Sequence, residues 1–182
     1  MLETTKLAVR LMGFALVAAL LLAVVNAFTA GQIEKNTREK IDAARKEVIG
    51  DYAFEDAEAD IEEAKYITGV YRAMDGENCA GYVYELESRG YGGTIYLCLG
   101  VDDTGCVTGV KVSSHVETKG LGTEAEKQFM AGFAGMDAVS GNAMQVDAIS
   151  GATISSNAVK NAVDEALTHF EANFAGEEVV SQ

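Results

Sequence analysis

The sequence predicts an α+β protein, with one N-terminal transmembrane helix followed by an antiparallel-sheet domain that has helices packed on it. Three observations carry this reading. Leu11 to Ile33 contains no charged side chain, and at about 1.5 Å per residue a helix of that length crosses the ~30 Å of bilayer hydrocarbon. Between Tyr66 and Ser113, four runs rich in Tyr, Val, Ile and Thr are separated by clusters of Gly, Asp and Asn, the pattern of strands in a meander. Beyond Ser155, Ala158, Val159, Ala162, Val163, Ala166, Leu167 and Phe170 recur at helical spacing, and that stripe is core rather than a cofactor box.

Composition narrows the function classes. The chain has 182 residues, about one domain with a small appendage. Its 14 Lys+Arg against 28 Asp+Glu give −14 at pH 7, the wrong sign for nucleic acid. With 48% hydrophobic residues it can bury a core and is not a disordered chain. Cys79, Cys98 and Cys106 form no CxxC pair and have no His at ligand spacing, so they read as small buried apolar residues and no metal site is expected. A disulfide between two of them stays open for an extracytoplasmic domain.

In chain order, residues 1–33 are an N-terminal tip and the membrane helix. Lys6 and Arg10 form a basic flank and Val25-Asn26-Ala27 is a passable cleavage site, so a signal peptide is the rival reading; the length of the apolar run favours a retained anchor. Lys6 and Arg10 precede the span while Lys35, Arg38, Lys40, Arg45 and Lys46 follow it, so charge bias alone does not fix the side. Residues 34–64 read as a helical and acidic connector. Ile33, Ile41, Ala44 and Val48 continue the helix to Gly50, a C′ residue, and 51–64 read as an acidic connector, solvated in preference to the alternative that Tyr52, Phe54 and Ile61 dock it on the domain.

Residues 65–182 form the domain proper. Strands are predicted at Tyr66–Met74, Ala80–Glu87, Thr94–Val101 and Cys106–Ser113, with a helix over Glu124–Phe133 opened by a Thr123/Glu126 capping box. Ser155 or Ser156 is the expected cap of the last helix. The helices are expected on one face of the sheet.

The chemistry concentrates in Val146-Asp147-Ala148-Ile149-Ser150-Gly151-Ala152-Thr153, running into that last helix. Hydroxyls and small residues at a helix start favour an anion, phosphate above all, although a serine cap after a glycine turn would look the same.

The segment Asp147 to Thr153 resembles the flavinylation signature of the FMN-binding domain family. The wider order agrees: a single span, the Gly90-Tyr91-Gly92-Gly93 turn, Glu117-Thr118-Lys119-Gly120-Leu121-Gly122, and then the SGAT segment. This is the order in G subunits of Rnf electron-transport complexes, and it is similar to that of C subunits of sodium-pumping NADH:quinone oxidoreductases. The resemblance implies FMN joined by a phosphoester to Thr153, with Asp147, Ser150, Gly151 and Ala152 in the sequence that a flavin transferase reads. It also implies that Glu117, Thr118, Gly120, Leu121 and Gly122 line the flavin pocket. Lys119 stands where the family usually has Pro, which loosens that loop and puts a cation near the flavin.

The same resemblance implies an electron carrier on the extracytoplasmic side of the cell membrane. It would work with the other subunits of a ferredoxin:NAD⁺ oxidoreductase coupled to Na⁺ or H⁺ translocation, and it would have no side-chain catalyst beyond the flavin. His115, at a strand end, reads as structural rather than as a proton donor. Two alternatives remain at this level: a free-standing anchored flavoprotein that donates to a separate reductase, and a cofactor-free interaction module.

Overall fold

The computed structural model describes residues 2–115 and 124–175. They divide into two compact units, residues 1–39 and 40–182. The first unit is helical. Helix α1 spans Leu2–Ile49, and its segment Lys6–Thr29 is long and apolar enough to cross a membrane. Leu11, Phe14, Leu16, Leu22 and Phe28 are exposed along it, as side chains that face lipid would be.

The second unit is built on a five-stranded antiparallel meander in the order β1-β2-β3-β4-β5. Its strands are β1 (Ala53–Asp56), β2 (Ile67–Asp75), β3 (Asn78–Arg89), β4 (Thr94–Asp102) and β5 (Val107–His115). The four predicted strands are present, each within a few residues of its expected bounds. Alternation sorts their side chains. Tyr82, Tyr84, Leu86, Ile95, Leu97, Leu99 and Val101 point into the main core, against Val159, Ala162, Val163, Ala166 and Phe170 of helix α3 (Thr153–Asn173) and against Phe129 and Phe133. Phe129 lies on helix α2 (Glu124–Ala131), and Phe133 lies just beyond it. Thr123, the expected cap of α2, lies outside the described residues.

Three details differ from the sequence reading. First, the sheet is covered on both faces. Ala44 and Val48 of α1 pack with Val83 and Cys98 on the face away from α3, and Thr108 Oγ1 donates to the Val48 carbonyl. Gly100 permits this approach, because a Cβ there would lie 2.8 Å from the Val48 oxygen. Arg45 completes the contact, pairing with Glu85 at 2.5 Å and stacking over the Tyr71 ring at 3.7 Å.

Second, part of the acidic stretch is docked rather than solvated. Phe54 and its neighbours form β1, paired with β2 from Ala53↔Met74 to Asp56↔Tyr71, and Ala57, Ala59, Ile61 and Ala64 rest on the core. The Glu165 carboxylate on α3 accepts from the Lys65 N–H at 2.5 Å, and His169 Nε2 meets the Asp60 carbonyl at 3.2 Å. The acidic side chains of this strap face outward while its alanines face in. Third, α3 begins at Thr153 with Ala152 as N-cap and no side-chain cap, so neither Ser155 nor Ser156 caps it.

Candidate functional site

The signature segment connects the short 3₁₀ turn η1 (Ala143–Gln145) to α3. Its apolar residues anchor it at a spacing of three: Val146, Ile149 and Ala152 pack on the core. The residues between them are displayed, so that Asp147, Ala148, Ser150, Gly151 and Thr153 are all exposed. The chain reverses at Ile149-Ser150-Gly151-Ala152, closed by the Ala152 N–H to the Ile149 carbonyl at 3.0 Å. Gly151 adopts φ +81° there, a conformation that suits Gly.

Two serines set the start of α3. Ser156 is 2% exposed, and its hydroxyl accepts from the Ile149 N–H at 3.0 Å. That bond ties the anchored part of the loop to the fourth residue of the helix. The Ser155 hydroxyl accepts from the Tyr91 N–H at 3.2 Å. This contact docks the Gly90–Gly93 turn at the same helix end, where the Tyr91 side chain is 81% exposed. One strand back, Ser88 Oγ donates to the Ala158 carbonyl at 2.8 Å. The chain from Ser88 to Tyr91 therefore runs beside the first turns of α3.

Electrostatics at this end favour an anion. Thr153 is the first helical residue; no acidic residue lies in the first turn and no side chain caps it, so the partial positive charge of the helix start is not offset locally. On the other side of the loop, a cleft of about 580 Å³ is lined by Gln128, Phe129, Gly132, Met136 and residues 145–150, a size in the range of small-molecule sites. Upstream, Asp137 is held below the usual carboxylate range by the Ser140 and Val139 N–H groups, which fixes the turn before η1.

The structure therefore brings Asp147, Ser150, Gly151, Ala152 and Thr153 together on one displayed loop. Glu117, Thr118, Lys119, Gly120, Leu121 and Gly122 lie outside the described residues, as does the His115 side chain. No group of three or more His, Cys, Asp or Glu positioned for a metal occurs among the described residues, and Cys79, Cys98 and Cys106 are free thiols. Sequence reasoning missed the tie from Ser156 to Ile149 and the docking of Tyr91 on Ser155. The available signal was the pair of adjacent serines just inside a helix whose cap position is alanine.

Comparison with known proteins gives the family. Residues 90–168 match the FMN-binding domain and residues 1–48 match the RnfG N-terminal region. The chain is 35% identical over 181 residues to the G subunit of the ion-translocating oxidoreductase complex of Methanosarcina acetivorans, covering 93% of this chain and 96% of that one. The chain belongs to the G-subunit family of ion-translocating oxidoreductase complexes. The corresponding G subunit of Cereibacter sphaeroides is 32% identical, over 87% of this chain and 80% of its own. The G subunit of the Na⁺-translocating ferredoxin:NAD⁺ oxidoreductase complex of Acetobacterium woodii is 28% identical, over 91% of both. Among solved structures, Shewanella oneidensis NqrC is similar over 70% of each chain, with 22% identity and a TM-score of 0.47.

As a family member, this chain is a redox subunit of a translocase, carries an FMN-binding domain and has an apolar helix suited to membrane association. The residues present fit FMN attached by its phosphate. The exposed Thr153 stands at a helix start without a side-chain cap, on a loop held from behind by buried groups.

Proposed function

We propose that this protein is the covalently flavinylated electron carrier of a membrane Rnf-type complex, with FMN joined through a phosphoester to Thr153. In that setting it passes electrons during ferredoxin:NAD⁺ oxidoreduction coupled to Na⁺ or H⁺ translocation, with the flavin domain on the extracytoplasmic side. The observation that carries the reading is the exposed Thr153 at the first position of a 21-residue helix that lacks a side-chain cap.

The chain's own residues have distinct tasks. The Thr153 hydroxyl attacks the phosphorus on the FMN side of FAD within a separate flavin transferase; the new bond is Thr O–P, the pyrophosphate bond breaks, AMP leaves and the hydroxyl proton goes to the transferase. Asp147, Ser150 and Gly151, displayed, and Ala152, anchored on the core, belong to the segment that the transferase reads. Once attached, the phosphodiester keeps a negative charge, which the start of α3 stabilises by about 0.3–1 kcal/mol at an exposed position. Glu117, Thr118, Gly120, Leu121 and Gly122 are assigned to the flavin pocket on the resemblance alone. The exposed Tyr91 and Ile154 add apolar surface beside the attachment point. FMN itself supplies the electron-accepting ring.

The test is a denaturing gel viewed under ultraviolet light, comparing wild type with Thr153→Ala, each expressed with a flavin transferase. A fluorescent wild-type band and a dark variant band of equal protein amount are expected. A fluorescent Thr153→Ala band would overturn the assignment.

A further inference from the structure

Among the described residues of this domain, Lys160 is the buried cation that lacks a carboxylate partner. It lies on α3, is 7% exposed, and its ammonium donates to the Met144 carbonyl at 3.3 Å. By contrast, Arg45 pairs with Glu85, Lys46 with Asp51 and Lys111 with Glu47. A neutral carbonyl is a weaker partner for an ammonium than a charged acceptor is, so an anion within its reach would bind in preference.

Helix geometry indicates which anion. Residues seven apart lie about 20° apart around a helix of 3.6 residues per turn, so Thr153 and Lys160 share one edge of α3, about 10.5 Å apart along the axis. Helical side chains lean toward the N-terminus. The contact with Met144 shows the lysine reaching toward η1, the turn that feeds the signature loop. Ser156, on the same side of the helix, holds Ile149 of that loop. Lys160 and Ser156 thus hold, from one helix, the turn and the loop that lead to Thr153.

We propose that Lys160 is the counter-charge for the phosphodiester at Thr153, an unpaired buried cation in the unmodified chain that modification pairs. This inference rests on the proposed attachment of FMN to Thr153. Lys160 is a positioning residue, acting on the anchored phosphate and the loop rather than on the ring. Modification then stabilises the fold through this pair, beyond any contact the ring makes.

The experiment uses the full-length chain in detergent, as wild type, Lys160→Met, Lys160→Gln and Lys160→Arg, each prepared with and without co-expressed flavin transferase. Anion exchange separates modified from unmodified protein, intact mass gives the modification state, and far-ultraviolet circular dichroism gives Tm. Modification is expected to raise the wild-type Tm by about 2–4 °C and to do the same for Lys160→Arg. The rise is expected to vanish in Lys160→Met and in Lys160→Gln, which keeps a donor for Met144 without the charge. Unmodified Lys160→Met should be no less stable than the unmodified wild type, since an unpaired buried charge has been removed; a merely structural lysine would lower both forms together. An equal rise in wild type and Lys160→Gln overturns this inference alone. Absence of FMN from the wild type overturns the flavinylation reading, and this inference with it.

Discussion

Ser156→Ala tests how the attachment loop is held. In the structure, Ser156 is 2% exposed and its hydroxyl receives the Ile149 N–H at 3.0 Å. Alanine removes the acceptor and leaves a half-buried backbone donor without a partner. Such a donor costs about 1–3 kcal/mol, and the partial exposure of Ile149 puts this case at about 1–2 kcal/mol. At roughly 3–4 °C per kcal/mol for a domain of this size, Tm should fall by about 3–8 °C. Thermal unfolding by circular dichroism gives the shift, and amide exchange at Ile149 should lose its protection. Asn157→Ala, one residue on and exposed, is the control and should stay within about 0.5 kcal/mol of wild type. Ser156→Asp separates this role from a helix cap: aspartate serves well at a cap, but at a buried interior position it should destabilise more than alanine. A Ser156→Ala protein with unchanged Tm and a protected Ile149 amide would refute the reasoning, as would a stabilised Ser156→Asp.

Three further outcomes follow from the geometry. Gly151→Ala should cost about 1–2 kcal/mol, because φ +81° disfavours a side chain even though no atom would contact the new Cβ; urea unfolding measures it. Glu85→Gln should cost about 1–3 kcal/mol, since the half-buried Arg45 guanidinium loses its nearer charged partner and keeps only the exposed Asp42 at 3.8 Å, with a cooperative loss of the α1 contact read by amide exchange at Ala44 and Val48. Burial pushes the Cys98 thiol up to about 12. The unfolded thiol ionises near 8.5 while the folded one stays protonated, so this group's contribution to stability is complete below pH 8.5. It is lost as pH rises toward 12, at about 1.4 kcal/mol per pH unit. Iodoacetamide at pH 8 should accordingly spare Cys98 in the native protein.

The strands were legible because Tyr, Val and Ile alternate there with little interference, and the last helix because its stripe is unbroken from Ala158 to Phe170. Strand β1 escaped because Ala53-Phe54-Glu55-Asp56 is a short acidic edge whose pairing depends on β2. The strap after it was masked by its own charge: the inward alanines are too small to outweigh Glu58, Asp60, Glu62 and Glu63 in a composition-based reading. The covering of the second face rests on Ala44, Val48 and Gly100, and a strand glycine reads as a weakness until the helix backbone beside it is known. At the site, the position of Thr153 at a helix start could be read, but its outward display could not, because that depends on Val146, Ile149 and Ala152 all finding the core. Lys160 was hidden inside an apolar stripe, where a single lysine reads as a surface interruption.

The most direct measurement of the central claim is peptide mapping of the transferase-treated protein. Trypsin releases Gln128–Lys160 as one peptide that carries Ser150, Thr153, Ser155 and Ser156, so fragmentation distinguishes the four hydroxyls of the loop and helix start. The account predicts a single FMN on Thr153 and none on the three serines. FMN on any of those serines, or an unmodified peptide from protein that fluoresces in the gel, would contradict it.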